Sequence, residues 1–481
     1  MSQTRAGKKI NKDLILKGNM LHAILSLAIP VVINSFLQTM YNLTDTYWLG
    51  QIGTNELAAI NLVTPVQNII INFGMGITVA GSVLIAQYIG AGEKDDAKSM
   101  ANQIFACAMC FALACAAVVY VSTSGIVNWL GADGETYKHA CTFLSIVVWD
   151  MPFLYMVNIF SAVRQAQGDT VKPMLLNLVG ITVNMILDPL FMVVMHMGTA
   201  GAASATLVAK MVPAIIALIL LTRRNQDVYL DIKHMRFEWE KIKLILRIGL
   251  PTAIGGSTMQ LGFLLMSRNV YAYGNQAMAA YGIGNKVNGL ITLPSNGIGS
   301  AVATIVGQNM GAKQVERARE GYLLSMKICV GFLFIGGMIL SRDFISTGIV
   351  SIFSEDPEVI AMAADFLSIM AFWCFTNGVY NASTGLFQGT GHTEVTMTVD
   401  ATRLWVFRFL TLWFCEAILH MGVRSVWYSV VISNGISSVI LFMLYKSNIW
   451  KKSKIKIDKK EKLEKIDLTK NQDTQPIAVQ N

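Results

Sequence analysis

The sequence predicts an all-α, polytopic membrane protein. Twelve transmembrane helices are expected in two six-helix lobes, related by a pseudo-two-fold axis along the membrane normal. Three observations carry this expectation. Only 14% of the 481 residues are charged while 53% are hydrophobic, whereas a soluble chain carries charge on about a quarter of its residues. Twelve windows are long and apolar enough to cross roughly 30 Å of hydrocarbon as helices. The second six repeat the punctuation of the first six. The charge deficit excludes a soluble enzyme. Seven cysteines and six histidines, with no cysteine-rich stretch, argue against a disulfide scaffold or a structural zinc protein.

Spans 1 to 6 fall near 22–48, 57–87, 99–122, 137–162, 173–196 and 199–222, and spans 7 to 12 near 245–270, 277–307, 321–341, 358–385, 396–419 and 425–446. No alternating pattern with regular turns occurs, so an outer-membrane barrel is not expected. Span 1 is longer than the apolar region of a signal peptide and carries Asn34, Gln38 and Asn42, so it reads as a retained span. Spans 1 and 7 each hold an early proline, Pro30 and Pro251, which frees a carbonyl and permits a bend. Pro30 is the expected hinge, because a bend there changes where Asp45 points.

Basic residues set the orientation. Lys8, Lys12, Lys94, Lys98, Arg164, Lys172, Arg317, the linker around Arg223 to Arg247 and the run from Lys446 to Lys470 share one side. The other side holds Lys138, Arg268, Arg342 and Arg424. Positive charge stays on the untranslocated side. Both termini are therefore expected in the cytoplasm, with the chain in a bacterial inner membrane. The net charge of +8 is topological and does not call for nucleic acid.

A shift of 221 positions lays 25–98 on 246–319 without a gap. Pro30 meets Pro251, Gly53 meets Gly274, Gly76 meets Gly297, Gln87 meets Gln308 and Gly90 meets Gly311; further on, Gln167-Gly168 meets Gln388-Gly389. Each half holds an even number of spans, so both start on the same side, as in parallel repeats with a substrate path between them. The expected organisation is a first lobe over 1–222, a cytoplasmic linker over 223–244, polar enough to tolerate rocking, a second lobe over 245–446 and a basic tail over 447–481. Two similar bundles read as an alternating-access transporter.

A carboxylate at a span centre costs about 2.5–3.5 kcal/mol on insertion scales. The first half has three candidates, Asp45, Asp150 and Asp188. Those of the second half, Asp365, Asp400 and Glu416, fall near span ends, so coupling is expected in the first half. Asn177, Asn184 and Asp188 share a face of span 5. Asn34, Gln38 and Asp45 make a stripe on span 1, and Asn61, Asn68 and Asn72 another on span 2; Asn158 and Thr206 sit in spans 4 and 6. Such oxygens could ligate Na⁺ at Asp45, Asn184 and Asp188, or hold a proton on an aspartate. They could equally only join helices by hydrogen bonds. Gln38, Tyr41, Asn68, Trp149 and Asp150 are expected along the substrate cavity. Lys286, read as the one basic residue well inside a second-half span, either faces that cavity or reaches to the surface. Cys107 and Cys110 lie in apolar span 3 and read as packing. No metal and no cofactor is expected beyond a coupling ion, H⁺ or Na⁺.

Several motifs resemble the multidrug and toxic compound extrusion (MATE) family. They are QTMYNLTDTYWLG from Gln38 to Gly50, QGDT from Gln167 with Pro173, NMILDP from Asn184 to Pro189, GQNMGA from Gly307, and QGTGHT from Gln388. The resemblance covers about residues 20–446, and within the family it points to the prokaryotic DNA-damage-inducible-F-like branch. It implies a V-shaped pair of lobes exporting cationic, amphipathic organic compounds against an inward H⁺ or Na⁺ gradient, as a monomer. It also implies a coupling site of Asp45, Asn158, Asn184, Asp188 and Thr206, with Pro30 as the bending proline. The Na⁺-coupled branch resembling NorM-type pumps places acids in spans 7 and 10. Here Pro251–Arg268 and Phe366–Gly385 hold no deep carboxylate, so a second-lobe Na⁺ site is not expected. The alternative is a flippase for a lipid-linked saccharide, which would favour a cationic cavity. A membrane-embedded enzyme is not supported, as no HExxH motif or paired histidines occur.

Overall fold

The computed structural model describes residues 13–224 and 226–455. Most of the lysine-rich tail and the basic residues before Asp13 lie outside them. The described residues form helices and no strand. Spans 1 to 3 are single helices, Met20–Ile52, Thr54–Ala91 and Lys94–Trp129. Asn19 starts span 1 by accepting a bond from the His22 amide at 3.2 Å. Gly92, at φ 83°, ends span 2 in a left-handed turn. Span 4 runs through Gly134–Val147, a 3₁₀ turn at Val148–Asp150, and Met151–Ala166. Span 5 is Val171–Pro189 followed by a π turn, Leu190–Val194. Span 6 is Gly198–Thr222.

In the second half, spans 7 to 9 are Trp239–Tyr271, Asn275–Gly311 and Val315–Leu340. Span 10 joins Pro357–Phe372 to Phe375–Gly389 with a bend of 54°. Span 11 comprises Thr393–Thr402, a π turn over Arg403–Arg408, and Phe409–Ala417; span 12 is Arg424–Lys446. A short helix, Asp343–Val350, precedes span 10 and had no apolar window to announce it. Several helices, such as Thr54–Ala91 and Lys94–Trp129, run beyond the predicted windows. Leu264, Phe334, Ile335, Leu410 and Trp413 are exposed on the outside of the bundle, as a lipid-facing surface requires.

The two lobes meet where spans 2 and 7, 1 and 8, and 2 and 8 pack. Small residues allow the approach. A Cβ on Gly76 would stand 2.4 Å from the Gly249 carbonyl oxygen, and one on Gly297 would meet Val32 at 2.5 Å. Below these crossings the lobes are tied at the face where the described residues begin and end, called here the basic face. Gln87 donates to the Gly389 carbonyl at 2.7 Å, and its repeat partner Gln308 donates to the Ala166 carbonyl at 2.7 Å. The chain after span 12 crosses the same seam. Trp450 is buried in the second-lobe core, Ser453 donates to Gln87 Oε1 at 3.0 Å, and Ile455 packs into the first-lobe core.

The linker is more ordered than its composition suggested. Lys98 reaches Tyr229 at 2.8 Å and Asp231 at 3.2 Å, and the Asp231 amide donates to Asn102 Oδ1 at 3.0 Å. Gln103 binds the Arg236 carbonyl at 2.5 Å. Residues 226–238 therefore lie fastened along the start of span 3 and belong mechanically to the first lobe. His234, with Lys98, holds the Asp231 carboxyl below the usual carboxylate range.

Candidate ion and cargo sites

Pro30 is buried in span 1, whose helix continues through it. Proline at position 30 leaves the carbonyl of Ser26, four residues earlier, without its helical donor. Thr170 supplies one: its hydroxyl donates to the Ser26 carbonyl at 3.3 Å. In the second half Thr393 donates to the Ile248 carbonyl at 2.8 Å, one residue past Arg247, whose carbonyl is the one Pro251 leaves without a helical donor. The QGDT segment thus has a local physical task at the proline of span 1.

Spans 1, 4, 5 and 6 enclose a cavity of about 130 Å³. Its polar lining is Gln38, Tyr41, Asn158, Asn177, Asn184 and Lys210. At ~30 Å³ per water this volume holds a few waters, whereas pockets for drug-sized ligands run to about 300–1,000 Å³. It is sized for an ion and its waters. Gln38 and Tyr41, expected on the cargo path, are thereby grouped with Asn158 and Asn184.

Beside this cavity the Asp45 and Asp188 carboxyl groups lie next to each other. Asn184 Nδ2 donates to Asp188 Oδ1 at 3.0 Å, while its own Oδ1 is buried without a partner. The Tyr41 and Thr206 hydroxyls lie near each other, and Thr206 donates to the Ala202 carbonyl at 3.0 Å. Asn177 donates to Asn34 at 3.1 Å, tying span 5 to span 1. The five residues expected to carry coupling thus fall within one cluster. Asp150 sits at the 3₁₀ turn of span 4, 6% exposed, with Oδ1 unpartnered. The positive charge facing both Asp45 and Asp150 is Lys210. Sequence reading missed it by searching the first half for acids only. A lysine between Ala209 and Met211 in mid-span carries the same insertion cost as a carboxylate and was an equal signal.

Other expected residues lie elsewhere. Trp149 is exposed and packs on Tyr120 with ring centroids 5.7 Å apart, away from the cavity. Asn68 is half-buried in span 2 and does not line this cavity. Lys286 is exposed, and it is not the one basic residue inside a second-half span. Arg403 and Arg408 of span 11 are 5% and 7% exposed. Asp400 accepts from Tyr380 and lies 3.5 Å from Arg403. Asp365 and Glu416 do sit in exposed contacts, with Arg424 at 2.8 Å and Tyr273 at 2.8 Å.

Two six-span lobes around charged groups in mid-membrane define a polytopic transporter, not an enzyme. The MatE family model matches residues 30–190 and again 251–414, with starts 221 residues apart, which is the repeat read in the sequence. A curated relative, "Probable multidrug resistance protein YpnP" of Bacillus subtilis, is 25% identical over 454 residues, covering 92% of this chain and 98% of that protein. "Probable multidrug resistance protein NorM" of Thermotoga maritima is 26% identical over 444 residues, covering 89% and 93%. A solved outward-facing multidrug resistance MATE family transporter superposes with a TM-score of 0.86 at 24% identity, over 90% of this chain and 97% of that one. The chain belongs to the MatE family.

Proposed function

We propose that this protein is a secondary antiporter of the bacterial plasma membrane, with both termini cytoplasmic, exporting cationic amphipathic compounds in exchange for H⁺. The observation that carries the ion is the Asp45–Asp188 contact. Two carboxyl groups held side by side away from water favour keeping a proton on one of them, and Lys210 nearby opposes a second cation. Na⁺ held by Asp45, Asn184 and Asp188 is the second candidate. Asn158, Tyr41 and Thr206 connect the acid pair to the small cavity, and Asp150, buried on span 4 near Lys210, is the carboxyl offered to the cargo's positive charge. Lobes 1–222 and 245–446 rock about their shared crossings, with 223–244 travelling with the first. Pro30 with Thr170 lets span 1 bend as the acid pair loads. The relatives' names support drug export. Ion and cargo must favour different states, since equal preference moves nothing. The protein acts as a monomer.

Liposomes containing the purified protein and a fluorescent cation, driven separately by a pH step and by a Na⁺ step, test this. The pH step alone is expected to drive transport, and Asp45→Asn or Asp188→Asn to lower it at least tenfold at equal insertion. Transport retained in both variants would sink the assignment. A flippase finds support only in the buried arginines of span 11, and the lipid comparison described next separates it.

A further inference from the structure

Span 11 places two guanidinium groups inside the second lobe, and only one of them, Arg403, has a carboxylate beside it. Trp405 and Val406 face outward and are exposed, while Arg403 and Arg408 are turned inward by the π turn they flank. Such turns recur at functional sites. Arg403 lies over the Tyr380 ring at 4.3 Å, 3.5 Å from Asp400 and 3.0 Å from Met259 Sδ, with its Nε buried and unpartnered. Arg408 has only neutral partners among the described residues, Ser433 at 3.2 Å and Asn434 at 3.1 Å. The indole N–H of Trp427, stacked on Tyr281 at 5.9 Å, is a further buried donor without an acceptor.

Buried charge is tolerated when paired, and leaving one partner alone is strongly destabilising. Here donors outnumber acceptors, and positive charge exceeds negative by one. Around the small cavity of the first lobe acids prevail instead, Asp45, Asp150 and Asp188 beside Lys210. Spans 5 and 11 occupy equivalent places in the two halves, and each carries its charge beside a π turn. We propose that Arg408, with Arg403, forms an anion site in the second lobe that takes a carboxylate or phosphate group of the cargo. The exported compounds then include zwitterions, their cationic end toward Asp150 and their acidic end on span 11. The cargo's route rests on the antiport reading above, whereas the binding itself does not.

The test compares a carboxy-rhodamine zwitterion with its cationic methyl ester, which differ only in that acid group. Binding to the full-length protein in nanodiscs is followed by fluorescence polarisation with no ion gradient. The free acid is expected to bind roughly tenfold tighter, as a charge-assisted pair should give. Arg408→Gln should erase that preference while leaving ester binding within about twofold, and Arg408→Lys should keep part of it. Equal binding of acid and ester to the unaltered protein overturns the proposal even if the variants fail to fold. So does an equal loss for both probes in Arg408→Gln. Repeating the series in phosphatidylcholine and in phosphatidylglycerol separates the two sources of the anion. A preference present in both assigns the site to cargo; one abolished by phosphatidylglycerol assigns it to a lipid phosphate and overturns the cargo assignment. Because no gradient is applied, a failed antiport assay leaves this result standing, and the reverse holds.

Discussion

Gly90→Ala should push the protein out of the conformation described here. A Cβ on Gly90 would lie 1.9 Å from the Gln308 carbonyl oxygen, 2.7 Å from its carbon and 2.9 Å from its Cα. All three atoms are backbone, so no rotamer change relieves the overlap and the lobes must separate. Separation breaks the buried bonds Gln87–Gly389 and Gln308–Ala166, both 2.7 Å, each worth about 0.5–1.5 kcal/mol net. Remaining closed instead incurs overpacking of about 1–3 kcal/mol. Either way the closed arrangement loses about 1–3 kcal/mol, a shift of roughly 5–150-fold in the closed-to-open ratio. Alanine's helix propensity, better by about 1 kcal/mol, acts in both states and does not alter that ratio. Spin labels on Asp95 and Glu320, exposed on the basic face of the two lobes, read the separation by electron–electron resonance. A longer distance population should appear in Gly90→Ala and equally in Gly311→Ala, whose Cβ would stand 2.0 Å from the Gln87 oxygen. Gly125→Ala, with open space around it, is the control. Distance distributions identical to the parent in both seam variants would refute this account of how the face is shut.

Thr170→Val should destabilise by about 1–3 kcal/mol, because the Ser26 carbonyl loses its donor. Adding Pro30→Ala restores that donor along the helix, so the double variant should recover stability in a denaturation cycle, while Pro30→Ala alone impairs transport more than folding. Trp450→Ala, emptying a fully buried site, should cost about 3–5 kcal/mol and lower the midpoint of thermal unfolding in detergent. The linker clamp should resist acid. Asp231 is held below its normal range by His234 and Lys98, so its contribution is present at neutral pH and is lost only as pH falls through that depressed value. Proteolysis between Asp227 and Glu238 should therefore stay slow across the ordinary carboxylate range near pH 4 and accelerate below it.

The spans and the repeat were legible because both are one-dimensional patterns. Apolar length marks a crossing, and Pro30, Gly76, Gln87 and Gly90 mark positions where backbone geometry or a lobe contact leaves little choice. The acid cluster was legible for a related reason, since a carboxylate in an apolar run signals its own cost. Partnerships were harder to read. Nothing in the order of residues says that Thr170 serves Ser26, or that Ser453 reaches back to Gln87; those pairs are set by how helices distant in sequence cross. Trp149 shows the converse limit. An aromatic beside Asp150 reads as a pocket wall, but at the 3₁₀ turn over Val148–Asp150 Trp149 is exposed while Asp150 is buried.

The error over span 11 is instructive because it came from a rule applied to one sign of charge. Asp400 was read as a headgroup-level residue, and the arginines three and eight positions on were passed over. A long arginine can reach the surface, and that expectation removes it from suspicion. Here the escape is closed: Arg403 and Arg408 flank a π turn whose intervening residues Trp405 and Val406 take the exposed side. Periodicity would have told the difference. Positions 400, 403 and 408 fall near one face only if the helix gains a residue per turn between 403 and 408, and a straight 3.6-residue helix would carry 408 off the inner stripe. A charge that fits the inner face only through a π turn is placed there at two expenses, distortion and desolvation. A residue that served stability alone would have been easier to place on the outer turn.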